Sequence, residues 1–171
     1  CIKMKITKNT KKEKMLALGK PCRKCGKCCS FGAGFAQNDE LKKISKHLKI
    51  SVEKLKNDYF EEKNIFNKIV YQPKLIKKQG MPFGPCIFME NNECKIHKVK
   101  PLHCRVGNCS KYGEEISEWY SVNYLVNKSN AESIRQWAIK VDLKPAIKGA
   151  TPLELVGNEK RLKEILEYKI R

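Results

Sequence analysis

The sequence predicts an α+β fold, a small and mostly α-helical domain that carries a short β-hairpin. Helical spacing of apolar residues recurs in the first third of the chain and again from about residue 114 onward. Between these stretches lie two short apolar runs separated by a polar turn, the pattern of a hairpin. A chain of 171 residues with 41% hydrophobic residues is long enough for one domain with a modest core.

Cysteines are concentrated in two tight groups, which hold eight of the nine in the chain. Thiolates at two-residue spacing bring their sulfurs close enough to share one ion or cluster. The spacing therefore predicts a cysteine-rich metal centre assembled from two distant segments. Its candidate metal ligands are Cys22, Cys25, Cys28, Cys29, Cys86, Cys94, Cys104 and Cys109.

Disulfide bonding is the alternative explanation for so many cysteines. The odd count argues against it, as do the adjacent Cys28 and Cys29, which are awkward partners for separate local bridges. The first twenty residues are rich in lysine and lack the apolar core of a signal peptide. No stretch approaches the apolar length of a membrane span. We therefore expect a cytoplasmic metalloprotein without a membrane partner.

The net charge of +18 raises the possibility of a nucleic-acid partner. The charge is uneven: residues 1–28 hold ten Lys or Arg against one acid, whereas residues 112–171 hold ten against nine. Lysine outnumbers arginine 31 to 5, although arginine is the residue favoured for reading bases and gripping phosphates. Metal-bound thiolates also reduce the net positive charge. The balance favours an unidentified protein or redox partner over nucleic acid.

Three regions follow from these patterns: a basic and exposed arm at 1–20, a cysteine-cluster metal-binding domain at 21–110, and C-terminal helices at 111–171. Within the second region, Asn38 is expected to cap a helix through Lys49, and Ser51 a shorter helix through about Glu62. The β-branched and aromatic residues between Ile65 and Ile76 predict a strand that runs into Pro73.

The second cysteine group predicts a hairpin, with strands at 86–89 and 94–96 and a polar turn between them. Pairing would place Cys86 and Cys94 near one end of it. Three helices are then expected at about 114–126, 130–141 and 152–168. Capping boxes at Ser129/Glu132 and Thr151/Glu154 begin the last two, and Gly157 is expected to divide the third.

The sequence is compatible with two kinds of bound group, an iron–sulfur cluster and zinc. Three cysteines at two-residue intervals with a remote fourth are a common way to hold a 4Fe–4S cluster. A structural zinc more often takes two ligands from each of two turns. Eight ligands divide into two sites of four, so one or two centres are possible, and the triple spacing favours iron–sulfur.

A family resemblance is carried by four motifs: Cys-Arg-Lys-Cys-Gly-Lys-Cys-Cys at 22–29, Gly-Pro-Cys-Ile-Phe at 84–88, Cys-Lys-Ile at 94–96, and Pro-Leu-His-Cys-Arg at 101–105. This order resembles the YkgJ-type cysteine-cluster family, whose hallmark is CxxCxxCC and which is described as a zinc- or iron-chelating domain. The resemblance spans about Pro21 to Cys109 and implies eight metal-ligand candidates. His97 and Lys100 stand where the family has Tyr and Arg, and His97 follows Cys94 at a spacing that permits ligation.

Two other functions remain open from the residues alone. One branch of the family resembles flagellin lysine N-methylases, which implies an S-adenosylmethionine-dependent methyltransferase-like protein as an alternative. A second alternative is a basic nucleic-acid-binding protein whose metal is structural. Neither a nucleotide-type glycine motif nor a recognisable catalytic constellation accompanies the cysteines, so no catalytic residue is assigned.

Overall fold

The computed structural model describes residues 5–19, 26, 29–30, 34–107, 110–144 and 146–170. Over these described ranges the fold is α+β, about 48% helical, with two small antiparallel sheets. The described elements are α1 (Lys12–Gly19), α2 (Asn38–Leu48), α3 (Val52–Tyr59), β1 (Phe60–Ile65), β2 (Lys68–Pro73), β3 (Met89–Glu90), β4 (Glu93–Cys94), α4 (Leu102–Val106), α5 (Gly113–Tyr120), a π-helical turn (Ser121–Leu125), α6 (Ala131–Leu143), α7 (Pro152–Val156) and α8 (Glu159–Leu166). The predicted α+β class is confirmed, whereas the cysteine-rich metal centre stays a prediction.

The described residues divide into two compact units. Unit 1 is drawn from Cys1–Met15, Asn64–Lys68 and Tyr112–Arg171; unit 2 is drawn from Leu16–Lys63 and Ile69–Lys111. Four of the candidate ligands are described, and all four belong to unit 2.

Helices α2 and α3 supply much of the core of unit 2. Leu41 and Ile44 are spaced three residues apart on one face of α2, and both are fully buried. Leu55 of α3 is fully buried as well. The N-cap of α2 is Gln37, not Asn38 as predicted, and it shares a capping box with Glu40. The predicted cap of α3 is confirmed, since the Ser51 side chain accepts from the Lys54 N–H.

Strands β1 and β2 form a hairpin where the sequence predicted one strand preceded by helix. Chain reversal occurs at Phe66 and Asn67, whose φ angles are 52° and 57°. Two consecutive residues with positive φ produce the tight turn that matches the twist of paired strands. The turn was missed because a phenylalanine at a positive φ has no sequence signature.

The predicted second hairpin exists, but it is shorter and differs in register. β3 pairs with β4 through Met89 opposite Cys94 and Glu90 opposite Glu93. Asn91 and Asn92 make the turn at positive φ. Cys86 lies outside this hairpin, in an isolated bridge with Leu75. The prediction that pairing would bring Cys86 and Cys94 to one strand end is therefore wrong.

Unit 1 is organised around buried aromatic side chains. Trp137 of α6 is fully buried, and its indole Nε1–H donates to the Ala150 carbonyl at 2.7 Å. Trp119 of α5 donates to the Thr10 carbonyl at 2.8 Å. Ile6 and Met15 are also buried. The expectation of an exposed N-terminal arm is thus wrong at these two residues, because their apolar side chains complete a core.

The C-terminal helices begin and end near the predicted residues. The capping box of Thr151 and Glu154 is confirmed at the start of α7. Gly157, at φ 71°, ends α7 and separates it from α8. The cap of α6 is Asn130 rather than Ser129. No helix among the described residues combines the length and apolar character needed to cross a membrane.

Candidate metal centre

Half of the predicted ligands can be located. Cys29, Cys86, Cys94 and Cys104 are described, with Cys86 buried and the others half-buried. Cys22, Cys25, Cys28 and Cys109 lie outside the described residues. The geometry below therefore concerns the last cysteine of the first group and three of the second.

Cys86 and Cys94 occupy two turns of the same design. In each turn the N–H two residues later donates to the thiol, from Phe88 to Cys86 and from Ile96 to Cys94. The N–H three residues later donates to the cysteine carbonyl, at 2.8 Å for Cys86 and 3.0 Å for Cys94. A backbone N–H aimed at sulfur favours the thiolate, which is the form that binds a metal.

The thiols of Cys86, Cys94 and Cys104 lie within electrostatic range of one another. Burial raises the pKa of all three, and that of Cys104 reaches about 12. A negative charge on Cys94 raises the pKa of Cys86 further. A negative charge on Cys86 or on Cys94 likewise raises the pKa of Cys104. A bound cation would relieve both burial and mutual repulsion, and thiolates are the type of donor that a soft metal favours.

Positive charge and a hydrogen bond act in the opposite direction at Cys104. The Gly34 N–H donates to its thiol, and the ammonium of Lys100 lies in range of both Cys94 and Cys104, lowering the pKa of each. Lys100 therefore places a positive charge beside two candidate ligands.

The first cysteine group contacts the second through its backbone. The Cys86 N–H donates to the Cys29 carbonyl at 2.8 Å. Gly34 approaches so closely that a Cβ built on it would lie 2.7 Å from Cys104 Sγ. Gly26, at φ 70°, lies against Met89, whose Sδ would be 3.2 Å from such a Cβ. The described part of the first group therefore packs directly on the second.

The histidines have three different environments. His103 is largely shielded from solvent and stacks on Phe35 at 5.3 Å between ring centroids, and its Nδ1 accepts from the Phe35 N–H at 3.0 Å. Burial lowers the pKa of His103 to about 4. His97 is exposed at the end of the Cys94 turn, and His47 is exposed on α2. His103 thus acts as a hydrogen-bonded support beside Cys104.

Within the described ranges, no three His, Cys, Asp or Glu side chains are grouped closely enough to hold a metal ion. The structure therefore brings together the surroundings of Cys86, Cys94 and Cys104 without displaying a complete ligand set. Since four candidate ligands lie outside these ranges, the eight-cysteine set stays a prediction.

Three supporting features escaped sequence reasoning. The sequence Gly-Ala-Gly at 32–34 predicts only a turn, whereas the structure places Gly34 in close contact with Cys104. Gly26 and the two N–H···S turns carried no distinct expectation. A usable signal existed for Gly34, since a glycine shortly after a metal-type cysteine run permits close backbone approach to a site.

Comparison with known proteins places the chain in a family of metal-chelating domains. Residues 21–133 match the model of the CxxCxxCC family, described as a "Putative zinc- or iron-chelating domain". Uncharacterized protein MJ0661 of Methanocaldococcus jannaschii is 36% identical over 87 residues, which cover 50% of this chain and 42% of that protein. The chain thus spans less than half the length of this relative. No solved structure matches. Because the family match covers most of the chain and includes both cysteine groups, the chain belongs to the CxxCxxCC family of zinc- or iron-chelating domains.

Proposed function

We propose that the chain holds an iron–sulfur centre, of 4Fe–4S type, through thiolates from both cysteine groups. The observation that carries this proposal is the shared setting of Cys86, Cys94 and Cys104, each of which receives a backbone N–H at sulfur. Hydrogen bonds to cysteine sulfur, burial and nearby charge are the features by which a protein tunes such a centre.

The choice of metal rests on spacing. Cys22, Cys25 and Cys28 have the two-residue intervals by which a cubane cluster is commonly held, with a fourth thiolate from elsewhere in the chain. Zinc is the second candidate, favoured by the paired turns at Cys86 and Cys94. Eight candidate thiolates allow one centre or two.

The bound group would supply redox chemistry, and the residues of unit 2 would set its environment. The Phe88, Ile96 and Gly34 N–H groups stabilise negative charge on sulfur. Burial limits water access, and Lys100 offsets part of the negative charge of the thiolates. We place this activity in the cytoplasm, in electron transfer or in modification of a protein partner.

The test is anaerobic purification followed by iron, zinc and acid-labile sulfide analysis and a visible absorption spectrum. The informative variants are Cys86→Ser and Cys104→Ser, and Cys1→Ser is the control because Cys1 lies outside the predicted ligand set. We expect brown, sulfide-bearing protein from the wild type and from Cys1→Ser. Cys86→Ser and Cys104→Ser should contain less iron and less acid-labile sulfide per chain.

The outcomes separate the candidates. Colourless protein with stoichiometric zinc and no sulfide would replace iron–sulfur by zinc while keeping the thiolate centre. Wild-type protein without metal, or metal content unaffected by both site variants, would contradict the proposal as a whole.

A further inference from the structure

A loop of unit 2 leads directly into the candidate ligand Cys86. Every residue from Ile76 to Phe83 is exposed, whereas Gly84 and Cys86 are buried. This stretch holds three of the nine large apolar side chains that are exposed among the described residues, namely Ile76 at 56%, Met81 at 44% and Phe83 at 38%. We call residues 76–83 the exposed loop.

The base of the exposed loop is fixed by backbone contacts. The Ile76 N–H donates to the Pro85 carbonyl at 2.8 Å. Directly below, Leu75 forms an antiparallel bridge with Cys86. Gly84 passes so close to this base that an added Cβ would lie 2.2 Å from the Ile76 carbonyl oxygen. The two arms of the loop are therefore joined at the residue that is a candidate metal ligand.

The tip of the exposed loop is a β-turn. The Met81 N–H donates to the Lys78 carbonyl at 3.0 Å, and Gly80, the third residue of the turn, has a φ of 78°. A positive φ at this position is typical of a type II turn and favours glycine. Because base and tip are both hydrogen-bonded, the loop loses little conformational entropy when a partner binds.

The exposed loop lies in a positively charged part of the protein. Residues 69–89 contain three lysines and neither Asp nor Glu. Among the described residues, no carboxylate pairs with Lys77 or Lys78. Unit 2 as a whole holds 19 Lys or Arg against eight Asp or Glu, a net of +11, and ionisation of all eight candidate thiols would still leave +3. Both the loop and the unit that carries it therefore attract an acidic partner.

The composition of the exposed loop favours a protein surface as that partner. Phenylalanine and methionine are enriched at protein interfaces, in which an apolar centre is surrounded by a polar rim. Single-stranded nucleic acid is instead bound by successive stacking aromatic rings, and phosphate is gripped best by arginine, whereas this loop has one aromatic residue and no arginine. Binding at a membrane surface commonly uses an amphipathic helix, and this segment is a hydrogen-bonded turn.

We propose that the exposed loop is the docking surface for an acidic protein, with Ile76, Met81 and Phe83 at the centre and the two lysines at the rim. The inference rests on the proposed function, because a redox centre held in part by Cys86 requires a partner that approaches it, and Phe83 lies three residues before this cysteine. Transient redox complexes have small interfaces, below about 1,200 Å² in total. Complementary charge raises their association rate.

The test measures binding of fluorescent peptides to the full chain by polarisation, with metal and sulfide content determined on the same samples. The probe is a short peptide in which Glu and Leu alternate. One control peptide has Gln in place of Glu, and the other has Ser in place of Leu. We expect the Glu–Leu peptide to bind more tightly than either control and to be released as salt is added.

Charge is tested with a matched pair of double variants. Lys77→Glu with Lys78→Glu reverses both charges of the exposed loop. Lys42→Glu with Lys43→Glu makes the same change in net charge at adjacent exposed lysines of α2, also in unit 2. We expect the first pair to weaken peptide binding about tenfold and the second to leave it close to the wild type.

The apolar centre is tested with Met81→Ser. Its control is Ile69→Ser, because Ile69 is an exposed apolar residue of β2 at 51%. Loss of a buried apolar side chain at the interface should weaken binding by about tenfold in Met81→Ser alone. All four variants should keep the metal content of the wild type, since none of the changed residues is a candidate ligand.

The outcomes distinguish this inference from the proposed function. A wild-type chain that contains metal but does not bind the Glu–Leu peptide, or binds the Gln–Leu peptide equally well, would overturn the docking surface and leave the metal centre intact. Binding that is indifferent to both changes in the exposed loop would do the same. Loop-dependent binding by a chain without metal would support the docking surface and contradict the metal centre. Loop-dependent binding of phosphatidylserine vesicles or of a DNA oligonucleotide, without binding of the peptide, would overturn the proposal and assign the loop to a membrane or to nucleic acid.

Discussion

Gly34→Ala is expected to disturb the metal centre without removing any ligand. Gly34 lies where its backbone passes the Cys104 thiol, and a Cβ there would be 2.7 Å from Cys104 Sγ, 3.0 Å from Cys104 N and 3.1 Å from His103 Cβ. Two of these atoms belong to a candidate ligand. The added methyl group must therefore move either the loop or the cysteine.

The size of the disturbance follows from ordinary contact distances. A comfortable contact between carbon and a heavy atom is about 3.5–4.0 Å, so the Gly34 loop and Cys104 Sγ must move apart by about 1 Å. Metal sites tolerate about 0.2 Å in a ligand distance. We expect Gly34→Ala to weaken metal binding about 10–100-fold, as losses of supporting contacts commonly do. The free energy of unfolding of the metal-free protein should fall by about 1–3 kcal/mol from overpacking.

The assay compares metal affinity, by competition with a chromophoric chelator, and urea unfolding of the metal-free protein. Gly80→Ala is the control. Gly80 has φ +78° and no described atom within 4 Å of an added Cβ apart from its chain neighbours. Backbone strain should cost this variant about 1–3 kcal/mol as well, with no thiol nearby.

The comparison isolates the contact with sulfur from general destabilisation. Equal loss of stability in the two variants, with metal affinity reduced only in Gly34→Ala, is the expected pattern. If Gly34→Ala bound metal with wild-type affinity and an unchanged spectrum, close approach to Cys104 would have no bearing on the site.

Three further predictions concern single residues. Burial raises the pKa of Cys104 from 9.0 to about 12. The protonated thiol therefore contributes to the stability of the metal-free protein below pH 9.0, and this contribution is lost as the pH rises toward 12. The urea midpoint should fall over this pH range in the wild type, and it should fall less in Cys104→Ala. Burial lowers the pKa of His103 from 6.5 to about 4, so its contribution is present above pH 6.5 and lost as pH falls toward 4. His103→Leu should remove that acid sensitivity but cost about 1–3 kcal/mol at neutral pH, because the Phe35 N–H loses its acceptor; an unchanged acid slope would contradict this. Arg135→Met should lower the free energy of unfolding by about 1–3 kcal/mol, since the Ile165 and Ile170 carbonyls lose their donor, and an unaltered urea midpoint would show that water replaces it.

Helix positions were largely predictable because their signals are local. Ser51, Thr151 and Gly157 act within one turn of the residues they affect, and the structure has a cap or a break at each. Predictions failed where the deciding partner was not local. Cys86 bridges Leu75 rather than joining the hairpin of Cys94, since that pairing depends on a loop packed from an earlier part of the chain.

The spacing of the cysteines in the sequence was enough to predict the type of metal site. Sulfur donors at short intervals indicate a soft-metal site whatever the fold around them, and membership of the CxxCxxCC family agrees with this. The eight-ligand set itself stays a prediction. The contact of Gly34 with Cys104 was not predictable, because it joins residues seventy positions apart.

The sequence alone determined the class of this protein: an α+β chain with thiolate donors in two groups, because side-chain chemistry and short spacings are properties of neighbouring residues. Only the tertiary structure decided which backbone N–H groups meet Cys86, Cys94 and Cys104, and which helix faces are left exposed. Both depend on how distant segments pack, and packing is settled by the sum of many weak contacts rather than by any single motif.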